Sequence, residues 1–116
     1  MRTMDTGPHD EDALCTFKVT VESDGTQRIV VLGEADLSVA PEFGATLLGA
    51  LQARTGRVLV DCAGLQYLDS SGIRELLRAQ ATAAQLDVVF GVINPAPNVR
   101  QVLELTDVET LIIEAP

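Results

Sequence analysis

The residues best suited to chemistry stand in one short run, Asp69-Ser70-Ser71-Gly72, directly ahead of Ile73-Arg74-Glu75-Leu76-Leu77. A serine at a helix start has an ordinary role: its hydroxyl accepts a free backbone N–H and caps the helix. The same position favours negative charge, through the helix dipole and the free N–H groups. A phosphate on Ser70 would meet both, opposed by the carboxylate of Asp69. On the residues alone the two roles, cap and phosphate acceptor, stay open. Glu34, Asp36, Asp61 and Asn94 are the other polar residues expected at strand ends, and together with Asp69 and Ser70 they are expected to share one rim of the molecule.

Other chemistries lack their parts. His9 is the only histidine, and it lies in the N-terminal stretch, so a Ser-His-Asp or Cys-His mechanism on the body has no base. Cys15 and Cys62 match no metal-ligand spacing and read as two free thiols of a reducing cytosol. No P-loop or glycine-rich dinucleotide turn occurs. We expect no enzyme, no cofactor and no metal.

The elements that must position these residues follow from periodicity. Met1 to Ala13 is polar and acidic, carries Gly7-Pro8, and reads as a disordered tail, leaving 14–116 as one domain. Thr16 to Val21 alternates with period two, as a strand with one wet face. Asp24-Gly25 signals a hairpin turn. Ile29-Val30-Val31-Leu32 reads as a strand buried on both faces. Pro41 suits a first helical turn, and Phe43, Leu47, Leu48 and Leu51 recur at helical spacing. Val58-Leu59-Val60 is a short strand ending at Asp61, and Cys62 to Asp69 reads as a loop. A second helix places Ile73, Leu76, Leu77, Gln80 and Ala84 inside and Arg74, Glu75 and Arg78 outside. Val88 to Ile93 is a strand, Asn94 to Pro97 a loop, and Val99, Val102 and Leu103 a short third helix. Leu111-Ile112-Ile113 is expected as a last strand.

The order is β-β-α-β-α-β-α-β. An antiparallel hairpin opens it, and right-handed crossovers should join the parallel strands that follow. The fold class is α/β, a single-layer mixed sheet packed with helices. In such sheets function gathers at the carboxyl ends of the parallel strands, where the run Asp69 to Gly72 projects.

Composition sets the remaining bounds. The chain has 116 residues, 47% of them hydrophobic, which fits one small domain with one core. Seventeen acids against eight bases give −9; four acids against Arg2 leave the tail at −3 and the body at −6. That balance argues against nucleic acid and against an anionic membrane surface. No apolar run approaches a membrane span, and Met1 to Cys15, with Asp5, Asp10, Glu11 and Asp12, holds no apolar h-region of a secretory signal, so a cytoplasmic location is expected.

Asp69-Ser70-Ser71-Gly72, preceded by Val58-Leu59-Val60-Asp61 and Leu65-Gln66-Tyr67-Leu68, resembles the signature of STAS domains, in particular the bacterial anti-sigma factor antagonists. Gly33-Glu34-Ala35-Asp36-Leu37 is similar to the family's segment after its second strand. Asn94-Pro95 and Val99 to Thr106 resemble its fourth-strand loop and third helix. The match covers about residues 15 to 115.

The resemblance implies a switch. Such antagonists bind an anti-sigma factor that is also a serine kinase, and so free a sigma factor for transcription. The kinase phosphorylates the first serine of the motif, here Ser70, and the modified antagonist lets go; a PP2C-type phosphatase resets it. ATP and magnesium would belong to the kinase. Asp36, Asp69, Ser71, Gly72, Ile73 and Asn94 are then the expected partner-binding residues, with a turn or cap as the competing role of Asp36 and a bond between rim loops as that of Asn94. Asp61 is expected to fix its loop.

Two departures from the family pattern stand out. Asp107 replaces the usual Gly after the third helix, and Arg74 and Glu75 replace small or apolar residues. Other readings compete less well. A two-component receiver needs an acidic pair after its first strand and a lysine after its fifth, and the only lysine is Lys18. A STAS scaffold or accessory subunit of a transport or signalling complex, with Ser70 never modified, has the same fold and surface.

Overall fold

The computed structural model describes residues 15–113; the expected tail, His9 and the last three residues lie outside them. Strands β1 (Cys15–Val21) and β2 (Gln27–Ala35) form the expected antiparallel hairpin, with Cys15 opposite Gly33 and Val21 opposite Gln27. Its turn is held by Asp24, whose carboxylate accepts the Thr26 N–H at 2.9 Å, and by Gly25 at φ 90°. That region favours glycine. Helix α1 (Ala40–Gln52) follows, with Pro41 in its first turn. Then come β3 (Arg57–Asp61), β4 (Leu65–Leu68), α2 (Ser70–Leu86), β5 (Val89–Ile93) and α3 (Pro97–Leu105).

The sheet runs β1-β2-β3-β5, with every pairing beyond β1–β2 parallel. Strand β2 serves two parallel neighbours in succession. Gln27 to Val30 pairs with β3, and Gly33 to Ala35 pairs with β4 across an irregularity at Gly33/Glu34. The stretch expected as a loop between Cys62 and Asp69 therefore contains a strand. Its four residues show no usable periodicity, and only the free edge of β2 beyond the end of β3 makes them a strand. The turn into it is fixed by Asp61, which accepts the Ala63 N–H at 3.1 Å, and by Gly33 N–H donating to the Gly64 carbonyl at 3.0 Å.

The expected last strand is a 3-10 turn over Glu109–Leu111, with a single parallel bridge from Ile112 to Val92. The chain arrives there through Asp107 at φ 66°, in the left-handed region that favours glycine. Asp adopts that conformation at a cost that glycine avoids.

The core lies between one face of the sheet and the pair α1 and α2. Ile29 and Val31 of β2, Val58 and Val60 of β3 and Val92 of β5 meet Phe43, Leu47 and Leu51 of α1 and Leu76, Ala79 and Ala83 of α2. Phe17 stacks on Phe43 with centroids 5.5 Å apart. Strand β2 is not buried on both faces: Ile29 and Val31 are fully buried, but Leu32 is 48% exposed and Arg28 faces outward. Among the described residues no helix covers that stretch of the outer face, where charges meet instead. Arg28 bonds both Glu22 at 2.7 Å and Asp61 at 2.9 Å.

Helix α2 is rotated relative to the expectation. Its buried line is Gly72, Ile73, Leu76, Ala79 and Ala83, while Leu77, Gln80 and Ala84 are exposed. Glu75, expected outside, has only 15% of its side chain exposed, lies against Gly44 of α1 and bonds Arg78 at 3.5 Å. Gly44 leaves the room that the carboxylate fills.

Candidate functional site

The end of β2 and the start of α2 build the site together. Asp69 N–H donates to the Ala35 carbonyl at 3.3 Å, tying the entry of α2 to the last residue of β2. Gly72 sits on the same residue: a Cβ at Gly72 would stand 3.1 Å from the Ala35 carbonyl oxygen and 2.5 Å from Leu68 Cδ1. Only glycine lets the helix start come this close to the strand end.

Asp69 is the N-cap. Its backbone is extended, and its Oδ1 accepts the N–H of Ser71 at 2.9 Å and of Gly72 at 3.2 Å. The capping role that either serine could have filled is taken. Ser70 is the first residue of α2 and exposed, and its hydroxyl has no hydrogen-bond partner among the described residues. Ser71 is half-buried. Ile73, expected among the partner contacts, is 7% exposed and belongs to the core; it anchors the helix from below.

Asp36 follows Ala35 and so stands beside Asp69 at the rim. Its carboxylate accepts both the N–H and the hydroxyl of Ser38, at 2.9 and 2.6 Å. The Ser38 hydroxyl bond, then the backbone N–H groups of Ser38 and Val39, hold this carboxyl below the usual aspartate range. Asp36 thus shapes the turn into α1 while remaining partly exposed. Between them Leu37 is 72% exposed, and Tyr67 on β4, opposite Glu34, is 48% exposed. Neither apolar residue is among the expected partner contacts. A leucine between the polar residues Asp36 and Ser38 is the available signal.

The structure does not gather all the expected rim residues. Asp61 pairs with Val30, five residues short of Ala35, about 16 Å along the strand. Its carboxylate fixes the turn into β4 and binds Arg28, the loop-fixing role expected of it. Asn94 follows Ile93, whose carbonyl accepts the Cys62 N–H at 3.0 Å, so it too stands at the level of β3's end. It is exposed at φ 55° and makes no side-chain bond among the described residues. An asparagine tie is made instead between α3 and β4, by Asn98, whose Nδ2 donates to the Gln66 carbonyl at 2.6 Å. Strand β4, unseen in the sequence, is what separates Asp61 and Asn94 from Ser70.

Beside the rim, a groove of about 320 Å³ runs between α1 and α2, lined by Pro41, Gly44, Leu48, Leu51, Glu75 and Arg78 among others. Among the described residues no cluster of three or more His, Cys, Asp or Glu side chains could hold a metal ion. Among them, too, no helix is long and apolar enough to cross a membrane.

This sheet, with β4 continuing on β2 and an exposed serine opening α2, has the architecture of the STAS class. Solved structures share it at low identity. Anti-sigma factor antagonist SpoIIAA in its unphosphorylated form superposes with a TM-score of 0.75 at 20% identity, covering 87% of this chain and 89% of that one. An anti-sigma factor antagonist from Mycobacterium paratuberculosis gives 0.77 at 22%, covering 88% and 86%. The Bacillus cell fate determinant SpoIIAA in the phosphorylated form gives 0.68 at 20%, covering 87% and 92%. No curated protein sequence matches the chain. The family model described as Mlab, STAS domain matches residues 19–114, and the chain belongs to that family.

Proposed function

We propose that this chain is an anti-sigma factor antagonist. It binds an anti-sigma factor that is also a serine kinase, frees the sigma factor held there, and is switched off when the kinase phosphorylates Ser70. A PP2C-type phosphatase reverses the modification. The observation that carries this reading is the division of labour at the start of α2: Asp69 does the capping, so the exposed hydroxyl of Ser70 is left for a partner. Structures described as anti-sigma factor antagonists share the fold, and a related one is in a phosphorylated form.

The contact surface follows from the rim. Leu37 and Tyr67 supply exposed apolar area and Asp36 a carboxylate beside it, the mixture of apolar centre and polar surround found at protein interfaces. A phosphate adds about 1.5 to 2 negative charges at the middle of this patch. A partner fitted to a neutral hydroxyl then meets an added charge for which it has no counterpart, which rejects binding more strongly than the lost contact alone.

The test is incubation of the full chain with anti-sigma serine kinases, ATP and magnesium, followed by mass spectrometry and binding measurements. Phosphate on Ser70, tight binding by Ser70→Ala and weak binding by Ser70→Asp are expected. Phosphate on another residue or on none, or equal binding by wild type and Ser70→Asp, overturns the switch; a chain whose unmodified rim still binds its partner would then be a STAS scaffold or accessory subunit.

A further inference from the structure

We propose that Arg74 is the internal partner of a phosphate on Ser70, drawing it down against α2 so that modification changes the rim while leaving the helix start intact. The inference rests on the reading of Ser70 as the acceptor and adds the residue that accommodates the modified form.

The helix start alone offers the phosphate little. Of the N–H groups from Ser70 to Ile73, three are already used: Ser71 and Gly72 N–H go to the Asp69 carboxylate at 2.9 and 3.2 Å, and Ile73 N–H goes to the Asp69 carbonyl at 3.0 Å, leaving the Ser70 N–H as the one without a partner among the described residues. The charged groups near Ser70 are otherwise acidic. Asp69 precedes it, Asp36 lies on the adjoining loop, and Glu75 on α2 is turned toward Gly44 and bonded to Arg78.

Arg74 is the exception. It lies four residues after Ser70 on the same helix, and both are exposed. Residues at this spacing have Cβ atoms about 5–6 Å apart, and an acid N-terminal to the cation is the favourable order. A guanidinium can take two phosphate oxygens at once. Arg28, Arg57 and Arg78 each pair with a carboxylate within 4.0 Å, whereas Arg74 has no such partner among the described residues.

The test installs phosphoserine at position 70 of the full chain by genetic encoding, so that no kinase is needed, and titrates it by 31P NMR. Pairing with Arg74 favours the dianion, so the second phosphate pKa should lie below its ordinary value of about 6. Arg74→Gln should raise it by about 0.2–0.4 unit, and Arg74→Lys should recover part of the shift. High salt should shrink the difference. Equal pKa values with and without the Arg74→Gln substitution, or a difference that salt leaves untouched, overturn the pairing. The acceptor reading is judged apart from this, since it fails only if kinases leave Ser70 unmodified or if Ser70→Asp binds as wild type.

Discussion

The Asp69 carboxylate accepts the N–H groups of both Ser71 and Gly72, at 2.9 and 3.2 Å, and the hydroxyl of Ser70, the first residue of the helix, has no hydrogen-bond partner among the described residues. The aspartate of the motif thus has a structural task that does not require a partner. It holds the first turn of α2 in place while the serine beside it is exposed. Removing Asp69 tests this division. Asp69→Ala should lower stability by about 0.5–2 kcal/mol, read as a shift in the urea midpoint, and Asp69→Asn should retain most of it. A loss of partner binding with unchanged stability would show that the carboxylate serves the interface instead.

Two glycines with similar short contacts should respond oppositely to alanine. At Gly72 the new methyl meets the Ala35 backbone carbonyl, which cannot yield without moving β2, and the tip of Leu68, which is buried and has no solvent to turn into. Gly72→Ala should cost about 1–3 kcal/mol. At Gly44 the methyl meets the tip of Glu75, which can swing toward solvent. There helix propensity, worth up to about 1 kcal/mol, should leave Gly44→Ala neutral or stabilising. Thermal unfolding of both variants checks the pair.

The thiols should be unreactive in the native chain. Burial, with the charges of Glu42 and Asp36 adding to it, pushes Cys15 up to about 11; burial, then the charge of Asp61, pushes Cys62 up to about 12. Both raised values favour the neutral thiol of the folded state. Their contribution to stability is complete below the ordinary value of 9.0 and is lost as the pH rises through about 11 for Cys15 and about 12 for Cys62. A thiol reagent at a pH of about 8 should label neither residue until denaturant unfolds the domain. Rapid native labelling of one cysteine would show local opening.

The turn before α1 should carry its own acid dependence. The Asp36 carboxyl is held below its ordinary value of 3.8, first by the Ser38 hydroxyl. A depressed carboxyl stabilises the fold above its unfolded pKa, and that contribution disappears as pH falls below about 3.8. Ser38→Ala should raise the Asp36 pKa, followed by 13C NMR of its carboxyl, without altering the rest of the fold.

The sequence by itself determined the alternation of strands and helices, the hairpin at Asp24-Gly25, the helix starts at Pro41 and Pro97 and the run Asp69 to Gly72 at the head of α2. Those features are local. Turn residues, proline and apolar spacing act within a few positions, and a helix start exposes whatever residue opens it. The last three described residues, the inward line of α2 and the set of residues around Ser70 were decided elsewhere. Leu65 to Leu68 became a strand only because β2 outruns β3 and leaves an edge to be paired. That strand carried the chain past Asp61 and Asn94, so both stand away from the serine they were expected to join. Leu111 to Ile113 found room for one bridge to β5 and not for a ladder. Periodicity reports which side of an element is apolar; which carboxylates share a rim depends on where neighbouring strands end, and only the assembled sheet sets that.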